Sequence, residues 1–311
     1  MPFEFVCPHC YEKKWVDDAY AGQRGPCASC GRIITLPKRA GESGKGPLPS
    51  PPEPELLAVP TTKSSRRKQV WFSVAIGMVL FGILATSMIL LRPGFESMRR
   101  QRDLVGCRNN VQRIAKALQA YCDMHGTYPT PVVVDAAGKP LYSWRVLILP
   151  FLGHPELAKD FQYNEAWDSP SNMMLVQKMP KVFASPASPD AAALGETNYV
   201  LVTGAGTLFP ASGPLSDSAV TDSPSQTILV AEVRNAGQVW SQPGDLDVAK
   251  LKYQVNASGP NTVGGNHKGG AVVGMVDGSS AILPERLAGS TFRALMTPSG
   301  GEVLNESDWI H

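Results

Sequence analysis

Charge is what this sequence has least of. Asp, Glu, Lys and Arg make up only 18% of its 311 residues, and they nearly cancel to a formal net charge of +2. That balance excludes a general nucleic-acid binder, which carries a marked basic excess. Histidine is scarce as well, limited to His9, His125, His154, His267 and His311. No Gly-x-Ser-x-Gly elbow, His-Glu-x-x-His pair, phosphate loop or paired-carboxylate motif is present, so the reading is of a protein that is not an enzyme. "TGAGTL" at 203–208 lacks a third glycine and reads as a strand-to-loop turn. Asp168 with Asn172, and Asp217 with Asp222, lack the spacing of an EF-hand calcium loop. Beyond residue 30 only Cys107 and Cys122 remain, which argues against a disulfide-stapled secreted scaffold.

What is present is unevenly distributed. Cys7 and Cys10 in "CPHC", and Cys27 and Cys30 in "CASC", form two Cys-x2-Cys pairs at the spacing of a tetrahedral zinc site. Each pair turns two thiolates toward one ion, and Gly31 follows the second turn. Four protein ligands leave no open position, so Zn2+ here is structural and supplies the folding energy of a segment with almost no core. Residues 1–38 therefore read as a zinc ribbon, with His9 a spectator. Its exposed face is a candidate site for a protein partner. Nucleic acid is not expected there, because Lys13, Lys14, Arg24 and Arg32 are offset by Glu4, Glu12, Asp17 and Asp18.

Residues 39–69 are rich in Pro, Gly and Ser and read as a disordered, extended linker. Residues 70–91, "VWFSVAIGMVLFGILATSMILL", contain no charge. At about 1.5 Å per residue they cover the roughly 30 Å hydrocarbon core of a lipid bilayer, which makes them a transmembrane helix. Basic residues flank both ends, Lys63, Arg66, Arg67 and Lys68 before and Arg92, Arg99, Arg100 and Arg102 after, so the positive-inside count is close to a tie. Unpaired thiolates persist in a reducing cytosol. This places the N-terminus on the cytosolic side of the membrane and residues 92–311 on the outer side.

Arg92-Pro93-Gly94 is expected to kink or interrupt the helix. A second helix then follows to Met124, with Leu104, Val111, Ile114, Leu118 and Tyr121 in one apolar stripe and Gly126 as its stop. "VLILPFL" (146–152), "TNYVLVTG" (197–204) and "QTILVAEV" (226–233) read as strands, giving an α+β domain. "GAVVGMV" and "SSAIL" flank Asp277-Gly278, which reads as a tight hairpin turn with positive φ angles. His267 precedes the first of these strands. His267 and Asp277 then stand at opposite ends of a hairpin, and His267 is a structural residue bonded to a neighbouring loop. Tyr142, Trp144, Trp167 and Trp240 are candidates to line a ligand groove for glycans or peptides, against a role in packing.

From Arg99 the chain resembles a known family. "RRQRDLVGCRNNVQRIAKALQAYCDMHGTYP", "YSWRVLILPFL", "FQYNEAWDSPSN", "MPKVFASP", "TNYVLVTGAGTLF", "VTDSPSQTILVAEV", "VWSQPGDL" and the closing His, nine residues, Asp-Gly tag are similar to bacterial prepilin-like proteins of the family of unknown function DUF1559. The resemblance implies a type IV pilin-like or pseudopilin-like domain, a long helix packed on an antiparallel β-sheet, with self-association possible in principle. The sequence departs from the family where a short basic leader and a "GFTLIE"-like cleavage site would stand; the zinc ribbon and linker take that place. The family's usual cysteine in Phe-x-Cys-Pro-Ser is replaced at Ala184-Ser185, which deprives Cys107 of that partner. Cys107 and Cys122, about 22 Å apart by helical rise, are expected to be free thiols. The expected role is a non-enzymatic, membrane-anchored envelope scaffold or surface protein. A ligand-binding module, signalling to the cytosolic ribbon, is the alternative.

Overall fold

Long helices need either a buried face or a solvent that rewards apolar side chains, and in this protein one helix carries both a buried stripe and a stretch long and apolar enough to cross a membrane. The computed structural model describes residues 2–38, 65–234, 236–305, 307 and 309, and it divides into two compact units, Met1–Ser73 and Val74–His311. The linker expected at 39–69 falls outside the described residues except for its last five, which are helical.

The first unit is two small hairpins. β1 (Phe3–Val6) pairs antiparallel with β2 (Lys13–Val16), and β3 (Arg24–Pro26) pairs antiparallel with β4 (Ile33–Thr35). Each hairpin closes over one Cys-x2-Cys turn. In the first, Tyr11 N–H donates to Cys7 O at 2.9 Å; in the second, Gly31 N–H donates to Cys27 O at 2.8 Å. Both turns need a left-handed residue just after the second cysteine. Gly31 adopts it at φ 69° without a side-chain penalty, whereas Tyr11 takes φ 58°.

The second unit is built on α1 (Ser65–His125). The interruption expected at Pro93-Gly94 does not occur, and α1 runs straight through Pro93. A mid-helix proline forfeits one hydrogen bond and crowds the preceding turn, at about 3 kcal/mol. Established turns on both sides outweigh that local loss, since only the first turn of a helix is hard to form. Between Trp71 and Met98, Phe72, Phe81, Leu90 and Phe95 are among the large apolar side chains that are exposed. From Asp103 the same helix enters a core. Cys107, Val111, Ile114, Ala115, Leu118 and Cys122 are buried at three- and four-residue steps, with Leu104 and Tyr121 at the rim.

That stripe lies on a four-stranded antiparallel sheet. In chain order its strands are β7 (Tyr199–Val200), β9 (Ile228–Glu232), β11 (Gly270–Met275) and β12 (Ser280–Pro284), and across the sheet they run β12-β11-β9-β7. Alternation along β11 sends Val272 to the α1 side, while Ala271, Val273 and Met275 face a second core with Phe292, Leu295 and Met296. Gly274 lets the helix approach. A β-carbon there would lie 3.1 Å from Val111 O and 3.3 Å from Ala115 Cβ.

Two expected strands and one expected turn differ. "VLILPFL" forms a helical turn at Trp144–Leu147 and a 3-10 turn at Pro150–Leu152. Its continuous apolar run has no strand period, Ser143 Oγ caps the first turn by accepting Arg145 N–H, and Pro150 opens the second. "TNYVLVTG" is divided at Leu201. Its first half is β7, and its second half, β8 (Val202–Thr203), pairs in parallel with β10 (Leu246–Asp247). The Asp277-Gly278 turn is not a two-residue loop. Met275 N–H donates to Ser279 O at 3.0 Å, only Gly278 of the pair has positive φ (79°), and Asp277 Oδ1 instead accepts Ser279 N–H. A further hairpin, β5 (Val132–Val134) with β6 (Pro140–Ser143), leads into the Trp144 turn.

A buried ion pair locks these pieces. Arg145 Nη2 lies 3.3 Å from Asp245 Oδ1, with the two side chains 0% and 3% exposed. Arg145 also donates to Tyr199 O and Ser143 Oγ, and Asp245 Oδ1 accepts Trp144 Nε1–H and Leu201 N–H. Burial lowers the guanidinium pKa and raises that of the carboxyl, and the opposite charge of each partner opposes the shift.

Three outcomes follow for thermal or urea unfolding of the detergent-solubilised protein. Asp245→Ala strands a buried cation and is expected to lower stability by about 3–5 kcal/mol. The same change at Asp247, half-buried and 3.5 Å from Lys250, is expected to stay within about 1 kcal/mol. Gly274→Val forces α1 off the sheet and is expected to lose about 1–3 kcal/mol.

Candidate functional site

Two clusters of metal-ligating side chains occur among the described residues. The first is Cys7, Cys10, Cys27 and Cys30, whose sulfurs all lie within 4.8 Å of one another. Cys7 Sγ is 3.9 Å from Cys30 Sγ, and Cys10 Sγ is 3.9 Å from Cys27 Sγ. Both separations are far beyond a disulfide bond. They match the roughly 3.8 Å edge of a tetrahedron whose arms are the 2.3 Å of a zinc–sulfur bond.

Proton affinity is split within this set. Backbone N–H groups of Cys30 and Ser29 hold the Cys27 thiol down at about 6. At Cys10 the backbone hydrogen bond with Glu12 favours the thiolate, but desolvation and the neighbouring sulfurs outweigh it and push the thiol up to about 12. Four sulfurs competing for charge at such range are the arrangement that a bound cation relieves. Beside them an apolar cleft of about 560 Å³ is lined in part by Phe5, Val16, Tyr20, Pro26, Ile34 and Leu36.

The second cluster is Cys107, Glu232 and His267, all buried, with ligand atoms again within 4.8 Å of one another. Cys107 comes from the core-facing stripe of α1, Glu232 from the end of β9, and His267 from the loop that leads into β11. His267 therefore meets a strand carboxylate and a helix thiol rather than a neighbouring loop. Its Nε2 lies 3.3 Å from Glu232 Oε1, with the side chains 5% and 1% exposed. Val272 N–H donates to Glu232 Oε2 at 3.1 Å. Ser185 bridges the rest, its Oγ 2.9 Å from Cys107 Sγ and 3.0 Å from Glu232 Oε1. Gly265 has to be glycine-sized, since a β-carbon there would press on Glu232 Oε2 and on the His267 ring.

Burial alone would lower the His267 pKa, but its contacts with Cys107 and the Glu232 carboxylate outweigh that and hold the imidazole up at about 10. Burial also raises the neighbouring Tyr199 phenol well above its ordinary 10, with Cys107 and Glu232 adding to the effect. Asp277 is exposed at the far end of β11 and shares nothing with this cluster. Sequence reading singled out His267 but not Glu232, whose only signal was an acidic residue closing an otherwise apolar strand.

The four aromatic residues considered for a groove are placed differently. Tyr142, Trp144 and Trp240 are 5%, 0% and 0% exposed, and Trp167 is half-buried against the same core. Phe183 stacks on Trp240 with centroids 6.0 Å apart, and Phe161 meets Tyr142 edge-on at 5.2 Å. They fill the space between α1 and the irregular segments, and no open groove presents them. Cys107 and Cys122 are both free.

Residues 96–250 match the family model SBP_bac_10, described as a protein of unknown function (DUF1559). The match supports the DUF1559 family. No curated protein and no solved structure matches. The DUF1559 match takes in Cys107, Arg145, Ser185, Glu232 and Asp245, and it leaves out His267 and the β11–β12 hairpin.

The 2.9 Å contact between Ser185 Oγ and Cys107 Sγ leads to an engineering outcome. Ser185→Cys is expected to form a disulfide with Cys107 under oxidising conditions, checked by mass spectrometry with and without reductant. If both thiols stay alkylatable after oxidation and unfolding, the contact is not as close as drawn.

Proposed function

We propose that this protein is a non-enzymatic, single-span envelope protein. In this reading Cys7, Cys10, Cys27 and Cys30 hold a structural zinc ion in the cytosol. Residues 70–91 cross the inner membrane, and residues 92–311 form a pilin-like scaffold or surface domain outside. The observation that carries the reading is the division of α1. Among the described residues it is the one helix long and apolar enough to cross a membrane, with exposed side chains over that stretch and a core-facing stripe beyond it. A helix of that kind laid on an antiparallel sheet is the architecture that a pilin-like domain requires, and the DUF1559 match covers the packed half of α1 together with β7 and β9.

Zinc, once bound, supplies the folding energy of the two small hairpins and no reaction chemistry, because the four thiolates complete its coordination. The thiolates also favour a reducing compartment for the N-terminus. The partners are then the bilayer, through residues 70–91, and a protein docking on the ribbon, where the apolar cleft beside the cysteines offers a surface.

A reporter fused after His311 tests the orientation. Activity of an export-dependent reporter is expected, and activity of a cytosol-dependent one would overturn it. Zinc measured on the purified protein is expected to fall by one equivalent in the double variant Cys7→Ser, Cys10→Ser. An unchanged zinc content would remove the ribbon from the proposal.

A further inference from the structure

The Cys107, Glu232 and His267 cluster is unused by the scaffold reading, and its composition is unusual for a core. Three side chains that can each bind a metal converge from three separate segments, all of them buried. We propose that Cys107, Glu232 and His267 form a second metal site, for a divalent cation of the zinc class, which fastens α1 to the sheet.

Geometry carries this first. The 3.3 Å between His267 Nε2 and Glu232 Oε1 is the edge of a tetrahedron with arms of about 2.0–2.1 Å, the length of zinc–nitrogen and zinc–oxygen bonds. A hydrogen bond would also permit that separation, yet His267 Nε2 has no hydrogen-bond partner in acceptable alignment while being almost fully buried. The nitrogen is ion-paired with Glu232 rather than aligned in a hydrogen bond, and that leaves its lone-pair direction well placed for a ligand role. The carboxylate is held ready in the same sense. Val272 N–H fixes Glu232 Oε2, which leaves Oε1 facing the imidazole and the thiol. Ser185 Oγ, in contact with both the sulfur and Oε1, supplies the outer hydrogen bond that orients such ligands.

The donor set selects the cation. One thiolate, one imidazole and one carboxylate suit zinc and its neighbours, whereas magnesium and calcium prefer oxygen alone. A thiolate, a neutral imidazole and a carboxylate are the forms that bind a metal, so retention is expected to strengthen as pH rises. The consequence is mechanical. Cys107 sits where α1 first enters the core, and the ion would tie that point to β9 and to the entry of β11.

The test uses the full chain in detergent, with all four ribbon thiols removed by Cys7→Ser, Cys10→Ser, Cys27→Ser and Cys30→Ser so that one candidate site remains. After incubation with Zn2+ or Co2+ and removal of the excess, one equivalent is expected to remain, and the unfolding midpoint is expected to rise with metal. The Co2+ form should show a single thiolate's charge-transfer band, and X-ray absorption should report one sulfur among nitrogen and oxygen neighbours. Cys107→Ser and His267→Gln are each expected to abolish retention. Absence of bound metal in the folded ribbon-less protein overturns the proposal, as does a coordination shell without sulfur. Because the ribbon is removed throughout, failure here leaves the zinc-ribbon reading standing, and failure of that reading leaves this one untouched.

Discussion

The domain beyond the membrane-type helix depends on one buried charge pair, Arg145 with Asp245. Its position explains why irregular chain can sit beside a regular sheet. Where the chain leaves β7 at Leu201 to pair elsewhere as β8, the ladder pattern breaks and backbone groups lose their usual partners. Tyr199 O then accepts from Arg145, and Leu201 N–H donates to Asp245. Charge-assisted bonds of this kind are shorter and stronger than neutral ones, and dehydration strengthens them further. The pair is demanding as well as useful, because either charge alone would be stranded. Trp144 completes the arrangement, with its ring under the guanidinium at 4.6 Å and its N–H on Asp245.

On this frame α1 joins two environments. Its first half offers apolar side chains on every face, which a lipid solvent tolerates and water does not. Its second half narrows that surface to a stripe and rests on β9 and β11. Gly274 is the position that allows this contact, because the backbone of Val111 occupies the space a β-carbon would need. Pro93 lies between the two halves without ending the helix.

The two cysteine-containing clusters differ in how they are assembled. The ribbon draws its four sulfurs from two local turns, each closed by its own hairpin, so sequence spacing nearly suffices to define it. The buried cluster gathers a helix, the end of a strand and a glycine-rich loop that are distant along the chain. No spacing rule connects them, and His267 was visible beforehand only as half of a different pairing, with Asp277. The same limit explains the aromatic residues. Tyr142, Trp144 and Trp240 have the composition of a binding groove or of a core, and only the path of the chain around them decides that they are packed away.

Local chemistry by itself determined the cysteine turns, the apolar run, the amphipathic stripe of α1 and the strands at 228–232 and 270–284, because each depends on neighbours a few residues away. Tertiary structure decided the rest. It carried α1 through Pro93, since flanking turns outweigh one lost bond. It turned the apolar segment at 146–152 into helical turns, since burial on all sides removes the strand period. It divided 197–204 between two sheets, since an ion pair satisfied the backbone at the break. It also placed His267 against Glu232 and Cys107, since only folding brings three remote segments within reach of one atom.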